Sequence, residues 1–403
     1  MKFGMLYELQ LPKPWDQESE LRLINEATEQ IILADQIGID HAWAVEHHFL
    51  EEYSHCSASD VFLASLAAQT ERIRIGLGIR QVIPNYNHPS RTAETVAMLD
   101  LISGGRAEFG IGEGATRLEL HGYDINARRK RELSLEAAEQ IANMMVMQPY
   151  PGYEGEGFSM PCRNVVPKPL QKPHPPMWIA CTNRGTIEVA ARNGLGALAF
   201  SFVDPDEAKT WADTYYDIIK SDECVPIGHS VNANLAMVAG FSLHEDPREA
   251  MRRGQDGFQF FRYAVNALVA NETRPGRSNL WGEYEEIRGD DLPLIGAPGI
   301  GTPDDYTALV KDFESAGVDQ VIFLQQGGKN EHKHICESLE LFAEKVLPEF
   351  APTRDERVEA KDAELAPYIA AALARKQYMQ PLAEDEIPIV SPSQARESFY
   401  VKQ

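Results

Sequence analysis

The chain has 403 residues, enough for one large barrel with insertions or for two ordinary domains, and 43% of them are hydrophobic, which argues against wholesale disorder. With 61 acidic and 38 basic residues, the formal net charge is −23. A surface this acidic repels phosphate backbones and anionic membranes, so we expect neither nucleic acid nor a membrane as a partner. A phosphorylated ligand would need a local device to overcome this field.

The cysteines and the N-terminus indicate a cytoplasmic protein. The five cysteines are scattered and form no C-x-x-C pair, which is typical of reduced thiols. The N-terminal residues Met1–Tyr7 run straight into a strand pattern, so no signal peptide is expected. No uninterrupted run of about 18 apolar residues exists, so we expect no membrane-spanning helix.

Short apolar runs alternate with longer helical patterns along the first 150 residues. The predicted elements are strand 1 at Lys2–Leu9, a helix at Glu20–Ile37, strand 2 at His41–Phe49, a helix at Ser59–Gln69, strand 3 at Ile73–Ile83, a helix at Arg91–Ile102, strand 4 at Ala107–Ala115 and a helix at Glu132–Met147. Residues 149–176 then break the rhythm; they are rich in Pro and Gly and are predicted to cross the barrel face, with room for a short hairpin.

The alternation resumes after this first insertion. The predicted elements are strand 5 at Met177–Thr182, a helix at Thr186–Asn193, strand 6 at Gly196–Phe202, a helix at Asp206–Lys220, strand 7 at Asn232–Leu243, a helix at Pro247–Ala270, an irregular insertion at 271–303, a helix at Asp304–Ala316, strand 8 at Val318–Gln325 and a helix at His332–Val346. Eight strand–helix units predict an α/β protein, a (β/α)₈ TIM barrel over residues 1–350. A doubly wound open sheet is the competing fold, but the count of eight and the lack of an early Rossmann glycine turn favour the barrel.

A C-terminal extension follows at 351–403. It holds one amphipathic helix, Arg354–Arg375, and then a mostly irregular segment. The extension is interpreted as an arm that packs on the barrel or on a partner subunit, with a disordered tail as the alternative.

Polar groups recur at the carboxyl ends of the predicted strands, where a barrel carries its active site. The sharpest example is Glu46-His47-His48 at the end of strand 2. A histidine with an ordinary pKa of about 6.5 suits proton transfer at neutral pH. Adjacent residues of a strand point to opposite faces, so one of the two histidines is expected to be structural. A metal site would need Glu46 and His48 plus distant ligands such as His88 or His121, and we predict no metal.

Three glycine-containing segments accompany these histidines. Thr182-Asn183-Arg184-Gly185-Thr186 precedes a helix, where free N–H groups and hydroxyls can hold a phosphate, although an ordinary N-cap is the simpler interpretation. Strand 3 contains Gly76 and Gly78, which fit either core packing or an aromatic ring lying against the strand. Gly112 belongs to a run of alternate glycines that is not a Walker motif and is predicted to make room at the pocket floor.

Taken together, several segments in this order resemble the bacterial luciferase-like flavin-dependent monooxygenases over about residues 1–350. The segments are Met1–Gly4, Trp43–Phe49, Asn87–Glu94, Leu99–Arg106 and Ile300–Pro303. The resemblance implies a TIM barrel that takes reduced FMN from a separate flavin reductase and, with O₂ as co-substrate, forms a flavin 4a-hydroperoxide that oxygenates a small organic substrate.

The resemblance also assigns roles to residues of this chain. His47 matches the catalytic histidine beside the flavin, and Thr182, Asn183, Arg184, Gly185 and Thr186 match the phosphate loop. Gly78, Ile79 and Arg80 match the place where a cis peptide bulge supports the isoalloxazine ring. After strand 4 the luciferases have a Cys and an Arg, but this chain has Gly112, assigned to the flavin site, and Glu113, an acidic residue that cannot clamp phosphate. Arg117 or Arg184 is left as the substitute cation.

Other functions remain open at this point. One is hydride transfer with a reduced deazaflavin coenzyme, and another is a non-catalytic flavin-binding barrel. A metal-dependent hydrolase and a glycosidase using Glu46 and Glu113 are further alternatives. The substrate is not specified, although aromatic residues between Phe258 and Trp281 are compatible with an apolar one. Alanines and leucines on the helices after strands 2 and 3 predict a homodimer.

Overall fold

A computed structural model describes residues 1–288 and 298–390 of the chain; parts of the predicted second insertion and of the C-terminal extension lie outside these residues. The strands are β1 (Lys2–Tyr7), β2 (His41–Ala44), β3 (Arg74–Gln81), β4 (Ala107–Gly112), β5 (Tyr150–Glu154), β6 (Ser159–Arg163), β7 (Met177–Cys181), β8 (Gly196–Ala199), β9 (Leu235–Gly240), β10 (Ser242–Leu243), β11 (Ile300–Gly301) and β12 (Gln320–Leu324). Eight of them form a closed parallel barrel in the order β1-β2-β3-β4-β7-β8-β9-β12. The barrel confirms the predicted fold class.

Helices cover the outside of the barrel. Those in the described residues are α1 (Ser19–Ile37), α2 (Ser59–Ala67), α3 (Pro89–Ile102), α4 (Arg117–Gly122), α5 (Lys130–Val146), α6 (Arg184–Arg192), α7 (Pro205–Ile219), α8 (Pro247–Ala270), α9 (Leu280–Arg288), α10 (Pro303–Ser315), α11 (His332–Lys345) and α12 (Leu347–Arg375). In four of them a capping side chain precedes a proline in the first turn, at His88, Asp204, Asp246 and Thr302. None of the described helices has the length and apolar character needed to cross a membrane.

Trp43 of β2 fills the barrel interior and explains the glycines of β3. A Cβ atom added to Gly76 would lie 2.1 Å from the Trp43 ring, and one added to Gly78 would lie 2.9 Å from the Trp43 Cβ. Trp43 is 1% exposed. The aromatic ring against this strand therefore belongs to the protein itself, and both glycines serve core packing.

We expect Gly76→Ala to lower the free energy of unfolding by about 1–3 kcal/mol or more, because the new methyl group overlaps a tryptophan ring that has no room to move. Denaturant unfolding of the variant measures the loss. In a Trp43→Leu background the same substitution should cost much less, since the smaller side chain vacates the space. An equal cost in both backgrounds would contradict the packing explanation.

Two local predictions were wrong after β2 and β4. The second strand ends at Ala44, so His47 and His48 lie in the following loop, and strand alternation does not set their directions. A short helix, α4, follows β4 and was not predicted. Thr116 begins it, accepting a hydrogen bond from the Glu119 N–H, and its hydroxyl donates to the Glu119 carboxylate. The Thr-x-x-Glu spacing in the sequence is typical of a helix start, although Glu119 here bonds the Thr116 hydroxyl and not its backbone N–H.

The first insertion contains a hairpin, and the C-terminal extension contains a helix that packs on the barrel. β5 and β6 pair antiparallel, as expected for a short hairpin within 149–176. Helix α12 begins at Leu347 rather than at Arg354 and packs against the end of the barrel where the strands begin. Arg354 Nη1 lies 2.9 Å from Asp40, just before β2, and Lys361 Nζ lies 2.7 Å from Asp319, just before β12. The described part of the extension therefore covers the end of the barrel opposite the strand carboxyl ends.

Candidate active site

A cavity of about 440 Å³ opens at the carboxyl ends of the barrel strands. Predicted site residues that line it are His47, Ile79, Gly112, Thr182, Asn183 and Thr186. The histidine and the start of α6 therefore face one space. The cavity lining does not include Gly78, Arg80, Arg184 or Gly185, the remaining predicted site residues.

His47 is held between two carboxylates. Its Nδ1 lies 2.9 Å from Glu119 Oε1, and its Nε2 lies 3.7 Å from Glu8 Oε2. Burial by itself would lower the pKa of His47, but the nearby carboxylates, first Glu119 and then Glu8, outweigh it and raise the pKa from 6.5 to about 9. The sequence did not show this shift from the ordinary histidine value, because it did not show which acids surround the ring. At neutral pH His47 is an imidazolium that can donate a hydrogen bond or a proton.

Glu119 fixes the orientation of this ring. Its Oε1 also accepts from the His48 backbone N–H at 3.1 Å, and its Oε2 accepts from the Thr116 hydroxyl at 2.9 Å. Burial opposes ionisation of Glu119, but His47 and these donors hold its pKa below the ordinary value. Because Glu119 engages Nδ1, the Nε2 atom of His47 is left on the side of Glu8, which also lines the cavity.

We expect Glu119→Gln to lower the pKa of His47 by about one unit or more, since a facing carboxylate at this distance typically contributes that much. Histidine ¹⁵N chemical shifts followed against pH measure it. His47 has a higher pKa folded than unfolded, so its contribution to stability is full below about pH 6.5 and is lost as the pH rises through about 9. Unfolding of the variant should therefore lose part of this pH dependence. An unchanged His47 titration would contradict the assignment.

His48 is a structural residue. Its Nε2 lies 3.0 Å from Glu46 Oε1, and its Nδ1 lies 3.1 Å from the Tyr123 hydroxyl. The other oxygen of Glu46 accepts from the Gln81 backbone N–H. Arg80 joins the same network by pairing with Glu46 at 3.8 Å, and it also pairs with Asp60 at 3.4 Å. Its side chain does not line the cavity. Glu46 braces the loop and does not line the cavity, which removes the glycosidase pairing of Glu46 with Glu113.

No group of three or more potential ligands among His, Cys, Asp and Glu comes together within residues 1–288 and 298–390. His48 is committed to Glu46 and Tyr123, and His88 accepts from the Ser90 N–H as the N-cap of α3. The combination that a metal site would have required is therefore not assembled in this part of the chain.

The start of α6 combines an N-cap with exposed donors. Asn183 accepts from the Thr186 N–H, and the Thr186 hydroxyl accepts from the backbone N–H groups of Thr182 and Asn183. This capping box leaves the next two N–H groups, of Arg184 and Gly185, without an acceptor among the described residues. Free N–H groups at a helix start attract anions. The segment is thus both an ordinary cap and a candidate phosphate cradle.

The cations beside this cradle were not predicted. Lys130 and Arg131, at the start of α5, line the cavity together with Thr182 and Asn183. Both pair with Glu113, at 3.6 Å and 3.1 Å respectively. The side chains of Arg117 and Arg184 are exposed outside the cavity. The positive charge expected at this position therefore comes from α5, where both cations pair with Glu113.

The bulge expected in β3 is present, but without the cis peptide. The pairing of β3 with β4 shifts register between Leu77 and Arg80. All four cis bonds in the described residues precede proline, so the expected cis bond at Gly78–Arg80 was wrong; a non-proline cis bond costs about 3–4 kcal/mol, and the bulge forms without it. Ile79 points into the cavity, and a Cβ on Gly112 would lie 2.0 Å from its Cδ1. Gly112 makes room at the cavity wall, as predicted.

Apolar side chains from α8 and neighbouring loops close the rest of the cavity. They are Val45, Leu50, Phe200, Phe261, Val265, Leu268 and Val269. Of the aromatic residues noted between Phe258 and Trp281, Phe261 alone lines this cavity, and Phe260 packs on Trp281. The lining is thus apolar on the α8 side and carries charged groups elsewhere, among them His47 and Lys130.

The family model for luciferase-like monooxygenases matches residues 1–320 of this chain. The chain belongs to the luciferase-like monooxygenase family. The match confirms the resemblance seen in the sequence and the prediction that the protein is an oxidoreductase enzyme. It spans the first seven strand–helix units and ends at the start of β12, the eighth barrel strand.

Two individual proteins are also similar to this chain in sequence. The oxygenase component of the flavin-dependent trigonelline monooxygenase of Acinetobacter baylyi (strain ATCC 33305 / BD413 / ADP1) is 32% identical over 202 residues, which are 48% of this chain and 52% of that protein. The alkanal monooxygenase alpha chain of the Kryptophanaron alfredi symbiont is 25% identical over 366 residues, 86% of this chain and 98% of that protein.

Solved structures agree on the fold. The monooxygenase RslO1 from Streptomyces bottropensis has a TM-score of 0.69 at 25% identity, covering 87% of this chain and 99% of its own. The oxygenating constituent of 3,6-diketocamphane monooxygenase from Pseudomonas putida, in complex with FMN, has a TM-score of 0.66 at 18% identity, with 86% and 98% covered. The coenzyme F420-dependent tetrahydromethanopterin reductase from Methanopyrus kandleri has a TM-score of 0.61 at 20% identity, with 86% and 99% covered. At these identities the last two show the fold alone.

Proposed function

We propose that the protein is the oxygenase component of a two-component flavin-dependent monooxygenase that uses reduced FMN and O₂ to oxygenate a small organic substrate. The observation that carries the proposal is that His47 lines one cavity together with Thr182, Asn183 and Thr186, the residues that flank the free N–H groups at the start of α6, at the end of the barrel where active sites lie. Flavin-dependent monooxygenases among the relatives support it.

The residues around the cavity fit FMN. A phosphate is matched by Lys130 and Arg131, which line the cavity, and by the free N–H groups of Arg184 and Gly185, which directly follow the lining residue Asn183. A flat apolar ring is matched by Ile79 with Ala180. These groups would hold the cofactor, and reduced FMN would supply the electrons for reaction of O₂ with the substrate. The chain supplies a fixed positive charge at His47, and the apolar residues of α8 exclude water.

Coenzyme choice is tested by anaerobic titration of the purified protein with reduced FMN and, separately, with a reduced deazaflavin coenzyme, followed by measurement of O₂ uptake. We expect saturable binding of reduced FMN and uptake of O₂ that depends on the organic substrate. Binding of the deazaflavin alone, with substrate turnover in the absence of O₂, would overturn the proposal in favour of hydride transfer. Flavin binding without any turnover would favour a non-catalytic barrel.

The partners follow from this role. A separate flavin reductase supplies the reduced FMN, as the phrase oxygenase component implies for the trigonelline relative. A homodimer is favoured by exposed apolar residues on α2 and α3, namely Val61, Met98, Leu101 and Ile102. Sedimentation showing only monomer at micromolar concentration would refute it. We also propose that residues 1–350 form the catalytic barrel, that 351–403 form a separate extension, and that the five free cysteines reflect a cytoplasmic location.

A further inference from the structure

Glu8 has an oxygen that the protein leaves without a donor. The residue follows β1, is 3% exposed and lines the cavity. Its Oε1 accepts a hydrogen bond from the Tyr53 hydroxyl at 3.1 Å. Its Oε2 has no hydrogen-bond donor among the described residues, and His47 Nε2, at 3.7 Å, is too distant to serve as one.

An unsatisfied buried carboxylate oxygen is unusual in a folded protein, because the group loses its water without gaining a partner. Here the oxygen belongs to a cavity wall, so a ligand can provide the donor. Burial raises the pKa of Glu8 against the opposing effect of His47, so a further donor would stabilise its ionised form.

The neighbouring His47 has a hydrogen-bond donor that lacks an acceptor. His47 Nε2 has no acceptor within hydrogen-bond distance among the described residues, and the imidazolium carries a proton on this atom. An acceptor, Glu8 Oε2, and a donor, His47 Nε2, therefore stand 3.7 Å apart in one cavity. A single oxygen atom can lie within hydrogen-bond distance of both. Of the common functional groups, a hydroxyl both donates and accepts, whereas an ether or carbonyl only accepts and an ammonium group only donates.

The surroundings of this pair are apolar. Leu50 lines the cavity beside it, and Tyr53, which holds Glu8, packs on Phe261 of α8 with ring centroids 5.7 Å apart. A ligand whose hydroxyl meets Glu8 and His47 would place its carbon skeleton against these side chains. The cations that match a phosphate, Lys130 and Arg131, line the same cavity beside Thr182 and Asn183.

We propose that Glu8 and His47 together bind a hydroxyl group of the organic substrate, so that the enzyme selects apolar molecules bearing an alcohol or phenol. The substrate role rests on the proposed function, but the hydroxyl site does not. Glu8 accepts the hydroxyl hydrogen, and His47 donates to the hydroxyl oxygen.

A matched pair of probes tests the proposal. Calorimetric titration of the full-length protein with 4-ethylphenol and with 4-ethylanisole compares two ligands of similar shape, of which only the phenol can donate. We expect the phenol to bind about 10- to 100-fold more tightly, as for a hydrogen bond to a charged acceptor. In Glu8→Leu the preference should fall below about threefold, with the anisole little affected, and Glu8→Gln should lie between because it retains an acceptor without the charge.

The control is Leu268→Ala on the apolar wall, which should weaken both probes by the same factor. Circular dichroism and a thermal unfolding curve establish that Glu8→Leu is folded; if it is not, Glu8→Gln carries the comparison. The proposal would be overturned if the wild type bound both probes equally or bound neither. It would also be overturned if Glu8→Leu kept the preference for the phenol. Failure of the proposed function would show differently, as absence of binding to reduced FMN, and the probe comparison needs no flavin.

Discussion

Replacing His47 by Asn should reduce substrate turnover by about 10²- to 10⁴-fold while FMN binding is retained, which is the usual range for a group that donates or accepts a proton in the reaction. His47 follows β2 and lines the cavity, and its Nδ1 atom lies 2.9 Å from Glu119 Oε1. Asparagine keeps a hydrogen-bonding side chain of similar reach but carries no charge. The cradle at α6 is untouched, so the affinity for the phosphate end is expected to remain.

His48→Asn is the matched control for this experiment. His48 is adjacent in sequence but contacts Glu46 and Tyr123 and does not line the cavity. Turnover per bound FMN, measured for both variants with saturating reduced flavin, should fall steeply for the first and little for the second. A comparable fall in turnover in both variants would mean that a disturbed loop, and not the loss of the imidazolium, lowers the rate.

The pH dependence of the wild-type rate provides an independent check. Because carboxylates raise the pKa of His47 to about 9, a step that needs the imidazolium should proceed fully at neutral pH and decline as the pH rises through about 9. His47→Asn should lack that decline. A wild-type rate that instead increases between pH 6 and 7 would indicate a neutral imidazole acting as base and would contradict the ion-pair arrangement.

Periodicity was sufficient to predict the barrel. Each strand is a short apolar run and each crossover is a longer amphipathic one, and helix α8 begins and ends at the predicted residues Pro247 and Ala270. Errors occurred where a strand stops. The run from His41 to Phe49 is continuous in sequence, but β2 ends at Ala44, since pairing with β1 and β3 ends there. Strand ends depend on neighbouring strands, which composition does not reveal.

The site was predictable only where one segment carries the signal. His47 and Thr186 belong to local patterns, and both line the cavity. Glu119 and Arg131 are separated from those patterns by many residues and reach the site through α4 and α5, so their roles depend on tertiary packing. The raised pKa of His47 has the same origin, because it is the sum of burial and of carboxylates contributed by distant parts of the chain.

Removing the positive charge at the start of α5 should weaken FMN binding by about 100-fold in a Lys130→Ala, Arg131→Ala double variant. Each charged hydrogen bond to a phosphate is worth about 1.5–3 kcal/mol when buried, and the expectation is reduced because the Arg131 side chain is 46% exposed. Fluorescence titration with FMN and with riboflavin measures the effect. Riboflavin has no phosphate, so its affinity should change less than about twofold.

Removing the charge of Glu113 is expected to change the affinity for FMN in the opposite direction. Glu113 pairs with Lys130 and with Arg131, so it would compete with a phosphate for these two cations. Glu113→Gln removes this competition, and we expect FMN to bind a few-fold more tightly, most clearly at low ionic strength, with riboflavin unchanged. If instead Glu113 serves to orient Lys130 and Arg131, the same substitution will weaken FMN binding. Because the sign of the change separates competition from orientation, this single variant decides how an acidic residue functions beside a phosphate cradle.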